Sequence, residues 1–177
     1  MLNNKEIQAI GRLLQSEKIN LLINDLSESD RKIITDLKIN ISKESSNDVR
    51  LFVDGAADLN KKIAGIGGVA FQNDVKIFEF ADFIGEATNN QAEYRSLIKG
   101  LELLIKNGVK GANIYMDSEL VVRQINGRYK VKNERMIPLY NISCQLLAKM
   151  TYYSIAHIVR DKNQEADRLS KIGMSSQ

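Results

Sequence analysis

Residues 88–107 read TNNQAEYRSLIKGLELLIKN. Leu97, Leu101 and Leu104 recur at helical spacing with Ile98 and Ile105 beside them, which predicts an amphipathic helix to about Asn107 with its apolar stripe facing a core. Asn89 or Asn90 is expected to cap it. One turn before Leu97, the same stripe carries Glu93. A carboxylate on a buried stripe is costly unless something pairs with it.

The segments on either side decide the architecture. Upstream, VRLFVDG (49–55) reads as a strand. IAGIGGVAF (63–71) reads as a glycine-rich strand with close backbone approach, and VKIFEFADF (75–83) as an alternating strand. Downstream, ANIYMD (112–117) is an apolar strand and SELVVRQIN (118–126) a short helix stopped near Gly127. A longer helix is expected over about 134–150, then a strand in YYSIAHIV (152–159) and a last short helix in NQEADRLSKI (163–172). The order β-β-β-α-β-α-α-β-α makes this an α/β chain. Consecutive strands pair antiparallel, whereas strands separated by helices run parallel, so the sheet is mixed with helices on its faces.

Around this core the chain is ordinary in size. Its 177 residues fit one domain with a small appendage, and 44% hydrophobic against 27% charged residues suffice for a proper core. No apolar run approaches the ~20 residues of a membrane span, and no secretory signal pattern is seen, so a cytoplasmic protein without membrane contact is expected. The single cysteine, Cys144, excludes an internal disulfide and a cysteine metal cluster; it reads as a core or semi-buried thiol. The first 50 residues carry eight basic and eight acidic side chains, so the whole net charge of +3 lies in residues 51–177, a mild pointer to a polyanionic partner.

Residues 1–42 read as a helical segment with Ile7, Ile10, Leu13 and Leu14 on one face, followed by Leu21, Leu22, Ile23 and Leu26. A third run begins at SESD, where Ser27 can cap and Asp30 sits in the first turn, ahead of Ile33, Ile34 and Leu37. Residues 43–48, KESSND, read as a linker to a domain over 49–177. A protein partner or self-association through residues 1–42 is the expectation for this segment, and nucleic-acid binding the alternative.

Four acids stand in unusual places. Asp54 shares a strand face with Phe52, Asp117 ends an apolar strand as the chain turns into a helix, and Asp167 lies beside Ala166 and Leu169. Glu93 is the fourth. Each alone has a plain reading: Asp117 as a helix cap, Glu93 reaching solvent from the edge of its stripe, Asp54 and Asp167 as surface acids. If the four converge, their mutual repulsion requires a counter-charge. A donor set of oxygens alone suits Mg²⁺ or Mn²⁺ better than zinc, and open coordination positions suit phosphoryl transfer.

VDGAA (53–57), TNNQAEY (88–94), MDSELVVRQINGRYKVKN (116–133) and HIVRDKNQEADRL (157–169), in that order, resemble type 1 ribonuclease H over residues 49–173. The resemblance implies the ribonuclease H-like fold, a five-stranded mixed sheet with helices on both faces. It also implies an endoribonuclease that hydrolyses the RNA strand of an RNA–DNA hybrid. By the same resemblance Asp54, Glu93, Asp117 and Asp167 hold two Mg²⁺ ions, with Mn²⁺ as a substitute, and cleavage leaves 5′-phosphate and 3′-hydroxyl ends. Asn89, Asn90 and Gln91 match the family's nucleic-acid contacts, the backbone at Gly55 approaches the RNA 2′-hydroxyls, and Thr88 and Ser118 bind phosphate. His157 matches a loop histidine that assists proton transfer or product release, although IAHIV reads as strand; Arg160, three residues on, is the other candidate for that work.

Two features depart from the family pattern. The basic protrusion with tryptophans that many members carry is replaced by GRYKVKNER (127–135), which offers Arg128, Lys130, Lys132 and Arg135 around Tyr129. The N-terminal segment lacks the aromatics and basic excess of a hybrid-binding module. The alternative reading is a catalytically silent nucleic-acid- or partner-binding member of the same fold, which retention of all four acids argues against. Strand transfer or DNA nicking is a third, in chains that are usually longer.

Overall fold

The computed structural model describes residues 26–34 and 49–176. The chain divides into two units, Met1–Asn47 and Asp48–Gln177. In the first, residues 28–34 are helical, with the Ser27 hydroxyl accepting from the Asp30 amide at 3.2 Å and donating to its carboxylate at 2.6 Å. The expectations for the remainder of residues 1–42, and for the linker at 43–48, lie outside the described residues.

The second unit follows the expected order. Strands β1 (Val49–Asp58), β2 (Ile63–Gln72) and β3 (Val75–Gly85) precede helix α1 (Asn89–Lys106). Then come β4 (Gly111–Met116), α2 (Glu119–Ile125), α3 (Ile137–Leu147), β5 (Tyr152–His157), a 3₁₀ turn (Arg160–Lys162) and α4 (Gln164–Ser175). The sheet order is β3-β2-β1-β4-β5, antiparallel among β1 to β3 and parallel where β4 joins β1 and β5. Asn73 and Asp74, both at positive φ, close the two-residue β2–β3 hairpin, a turn matched to the twist of its strands.

The core lies between the sheet and α1. Val49, Leu51 and Val53 alternate on one face of β1, and Tyr94, Leu97, Leu101 and Leu104 of α1 are buried with them in the same cluster. Ala112, Ile114 and Met116 extend that cluster along β4, and Val121, Val122 and Leu147 close it from α2 and α3. Helix α4 packs across β2, β3 and β1 on the opposite face. Among the described residues no helix is long and apolar enough to cross a membrane.

Several boundaries differ from expectation. The cap of α1 is Thr88, not Asn89 or Asn90: its hydroxyl accepts from the Gln91 amide and the Gln91 side chain accepts from the Thr88 amide. This reciprocal capping box satisfies two amides where a lone asparagine satisfies one. Helix α3 starts later than 134 because Pro138, fixed in φ and lacking an N–H, sits in its first turn, and it ends at Leu147, short of 150. Strand β5 stops at His157, and the chain then turns into the 3₁₀ segment.

Candidate metal-dependent active site

The site forms where β1 and β4 part, at the middle of β1 and just past the C-terminal end of β4. Their pairing runs from Arg50↔Asn113 to Phe52↔Tyr115 and goes no further, so the two strands open just where Asp54 and Asp117 stand. Such an opening beside parallel strands is where α/β sheets bind ligands. Glu93 enters from above. A Cβ on Gly55 would sit 2.2 Å from the Ala92 carbonyl carbon and 2.3 Å from the Glu93 amide nitrogen, so the α1 backbone lies directly on this glycine. One carboxylate oxygen from each of Asp54, Glu93 and Asp117 lies within 4.8 Å of the others.

Asp54 and Glu93 are buried, and Asp117 is half-buried. Burial, reinforced by Asp54 and Asp117, pushes the Glu93 carboxyl up to about 9, against the opposing pull of the Gly55 amide and Arg160. Burial likewise raises Asp54 to about 6. The Ser170 hydroxyl offsets part of that rise, and Asp117 and Asp167 add to it. Glu93 Oε2 is buried with no hydrogen-bond partner. Three crowded carboxyls, one with an orphaned oxygen, fit a divalent cation of the hard, oxygen-seeking class.

Asp167 stands beside this group and is engaged differently. Its carboxylate is paired with Arg160 and, at 2.6 Å, with Lys171. Burial disfavours its charged form, but Lys171 and Arg160 outweigh burial and hold its pKa below the usual carboxylate range. Asp117 does not cap α2: the N-cap position is Ser118, with no side-chain capping bond, and the Asp117 carboxylate instead accepts from Asn163 at 3.0 Å.

The other residues singled out from sequence surround the cluster. Thr88, Asn89 and Asn90 are exposed at the start of α1, with Gln91 half-buried in the capping box. Ser118 is half-buried beside Asp117. His157 is exposed at the last position of β5, paired with Met116 and so next to the strand end that bears Asp117. Arg160 reaches the site through Asp167. In the 127–135 segment, Tyr129 is held by Arg123, which donates to its hydroxyl at 2.7 Å and lies 5.0 Å from its ring centre. Sequence reasoning missed Asn163 and Ser170, which touch Asp117 and Asp54 from α4. The only local signals are an asparagine at a helix start and a serine on an apolar helix face.

Comparison with known proteins places this geometry in context. A family model described as "Reverse transcriptase-like" matches residues 52–173. The bifunctional protein Rv2228c of Mycobacterium tuberculosis is 38% identical over 70% of this chain, which spans about a third (34%) of that protein's length. The solved N-terminal RNase H domain of Rv2228c superposes with a TM-score of 0.71, covering 74% of this chain and 96% of that one. Ribonuclease HI of Halobacterium salinarum is 33% identical over 77% of this chain and 69% of its own. LC11-RNase H1, solved with an RNA/DNA hybrid, is 34% identical with a TM-score of 0.67, covering 72% of this chain and 96% of that one.

Proposed function

The chain belongs to the ribonuclease HI family, and from that membership we propose that it is an endoribonuclease cutting the RNA strand of RNA–DNA hybrids. The observation that carries this reading is the buried group of Asp54, Glu93 and Asp117, with the orphaned Oε2 of Glu93. A pure nucleic-acid binder gains nothing from carboxylates facing a phosphate backbone.

Asp54, Glu93 and Asp117 would hold the divalent ions, with Asp167 joining as the fourth acid. Two Mg²⁺ ions, or Mn²⁺ in their place, supply activation of water and stabilisation of the leaving oxygen when bound. The chain does the rest. Asn89 and Asn90, projecting from the start of α1, contact the nucleic acid, and the capping box of Thr88 and Gln91 holds that helix end rigid. The Gly55 backbone approaches the 2′-hydroxyls of the RNA, which separates RNA from DNA at this site. Ser118 contributes to phosphate binding. Arg160, always charged, leaves its ion pair with Asp167 to meet the leaving phosphate. His157, exposed on β5, is placed to exchange a proton with solvent during product release. Arg128, Lys130, Lys132 and Arg135 offer a phosphate-binding strip around Tyr129.

The test is cleavage of an end-labelled RNA in three forms: hybrid, double-stranded RNA and single strand. The reading expects cuts in the hybrid, with 5′-phosphate and 3′-hydroxyl ends. Cuts leaving 5′-hydroxyl ends, or a preference for single strands, would contradict it.

A further inference from the structure

Helix α4 does more than carry Asp167. Asn163 sits at its N-cap position yet makes no capping bond with its side chain. An asparagine there normally satisfies an amide of its own first turn. Instead the amide group turns inward: its nitrogen donates to the Val53 carbonyl at 3.0 Å and to Asp117 Oδ1 at 3.0 Å, while its oxygen is buried without a partner. Asn163 is 1% exposed. It therefore bridges the opening between β1 and β4 where sheet pairing stops, joining the residue before Asp54 to Asp117. Its backbone carbonyl also accepts from the Asp167 amide at 3.0 Å.

Seven residues on, and so on the same face of the helix, Ser170 is completely buried. A buried helix serine ordinarily bonds a carbonyl of the preceding turn, and the Asp167 carbonyl lies 2.9 Å away. The same hydroxyl also meets Asp54 Oδ2. It has one proton to give, and the carboxylate is the stronger acceptor. The close approach is possible because residue 67 is glycine: a Cβ there would sit 2.1 Å from the Ser170 amide nitrogen.

We propose that Asn163 and Ser170 are positioning residues: two polar struts on one face of α4 that fix Asp117 and Asp54 in the orientation that receives the divalent ion. The inference rests on the metal-dependent reading above. Neither residue touches the ion or the substrate; both act through the carboxylates they hold, as outer-shell partners do.

The test is titration calorimetry of the full chain with Mn²⁺ near pH 8, on wild type, Ser170→Ala and Asn163→Ala, alongside hybrid cleavage as a function of Mg²⁺. Circular dichroism melts in chelator establish that each variant is folded. Ser170→Ala removes one oxygen and leaves the Gly67 contact intact, so it remains informative if Asn163→Ala unfolds. The expected result is a Mn²⁺ Kd raised roughly 10–100-fold and a matching shift in the Mg²⁺ concentration for half-maximal activity. KM for the hybrid should be unchanged, and most of kcat should return at saturating metal. A folded Ser170→Ala protein that binds Mn²⁺ as wild type does overturns the inference and leaves the metal reading standing. So does a loss of activity that extra Mg²⁺ does not restore. A wild type that takes up no Mn²⁺ overturns both.

Discussion

At the scale of single residues, Glu93 is the most informative position. The residue is 4% exposed, and its carboxyl is raised from an ordinary 4.5 to about 9, first by burial and then by Asp54 and Asp117. Without metal, the folded chain keeps a proton that the unfolded chain releases above about pH 4.5. The stability this group contributes is therefore full below that pH and lost as pH rises through about 9. Asp54, raised from 3.8 to about 6, acts in the same direction over a lower window. Glu93→Gln, a neutral mimic of the protonated acid, should accordingly melt higher than wild type at pH 9 in chelator, the difference shrinking towards pH 4.5. A variant melting lower at pH 9 would show that Glu93 is ionised and paired there. At the same scale, replacing His157 or Arg160 by Ala should slow turnover without ending it, as steady-state kinetics on the hybrid would read; complete loss in either would make that residue indispensable to the chemistry.

The acids were legible in the sequence because each interrupts an apolar pattern: Glu93 on a leucine stripe, Asp117 closing ANIYMD, Asp54 within VRLFVDG. Asn163 and Ser170 were not, because their partners stand 46 and 116 residues away in the chain and no local periodicity reports a tertiary hydrogen bond. Asp167 was legible as an acid beside apolar positions, but its pairing with Arg160 and Lys171 depends on how α4 follows the 3₁₀ turn.

At the scale of elements, the first turn of α1 is fixed twice, by its cap at Thr88 and by Gly55, which lies against the backbone of Ala92 and Glu93. Thr88→Ala removes half of the capping box and should cost ~1 kcal/mol in urea unfolding. An unchanged midpoint would mean that Asn89 or Asn90 takes over the cap. Gly55→Ala is a harsher change, since the new methyl would meet α1 backbone rather than a side chain that can swing away. It should lower both the melting temperature and turnover, because lifting the helix moves Glu93 off the other two carboxylates. Normal activity in Gly55→Ala would mean that the helix and strand are not rigidly opposed. The element order followed from periodicity, but the ends did not. The T-x-x-Q signature at Thr88 competes with two asparagines next to it, and Pro138 delays the start of α3 in a way that apolar spacing does not register.

For the whole molecule, we assign hydrolysis to residues 48–177, the unit that holds all four acids. A chain beginning at Asp48 should cut short hybrids with unchanged kcat. A large rise in KM would give residues 1–47 a part in substrate binding. Whether three converging carboxylates form one metal-dependent hydrolytic site is decided by cleavage of a labelled RNA–DNA hybrid by wild type and Asp117→Asn, in Mg²⁺, in Mn²⁺ and in chelator. The expected result is cuts in the RNA strand with either metal, none in chelator, and a loss in the folded variant beyond the ~10–100-fold expected for an outer-shell partner. Cleavage by Asp117→Asn at the wild-type rate, or cleavage that persists in chelator, would contradict it.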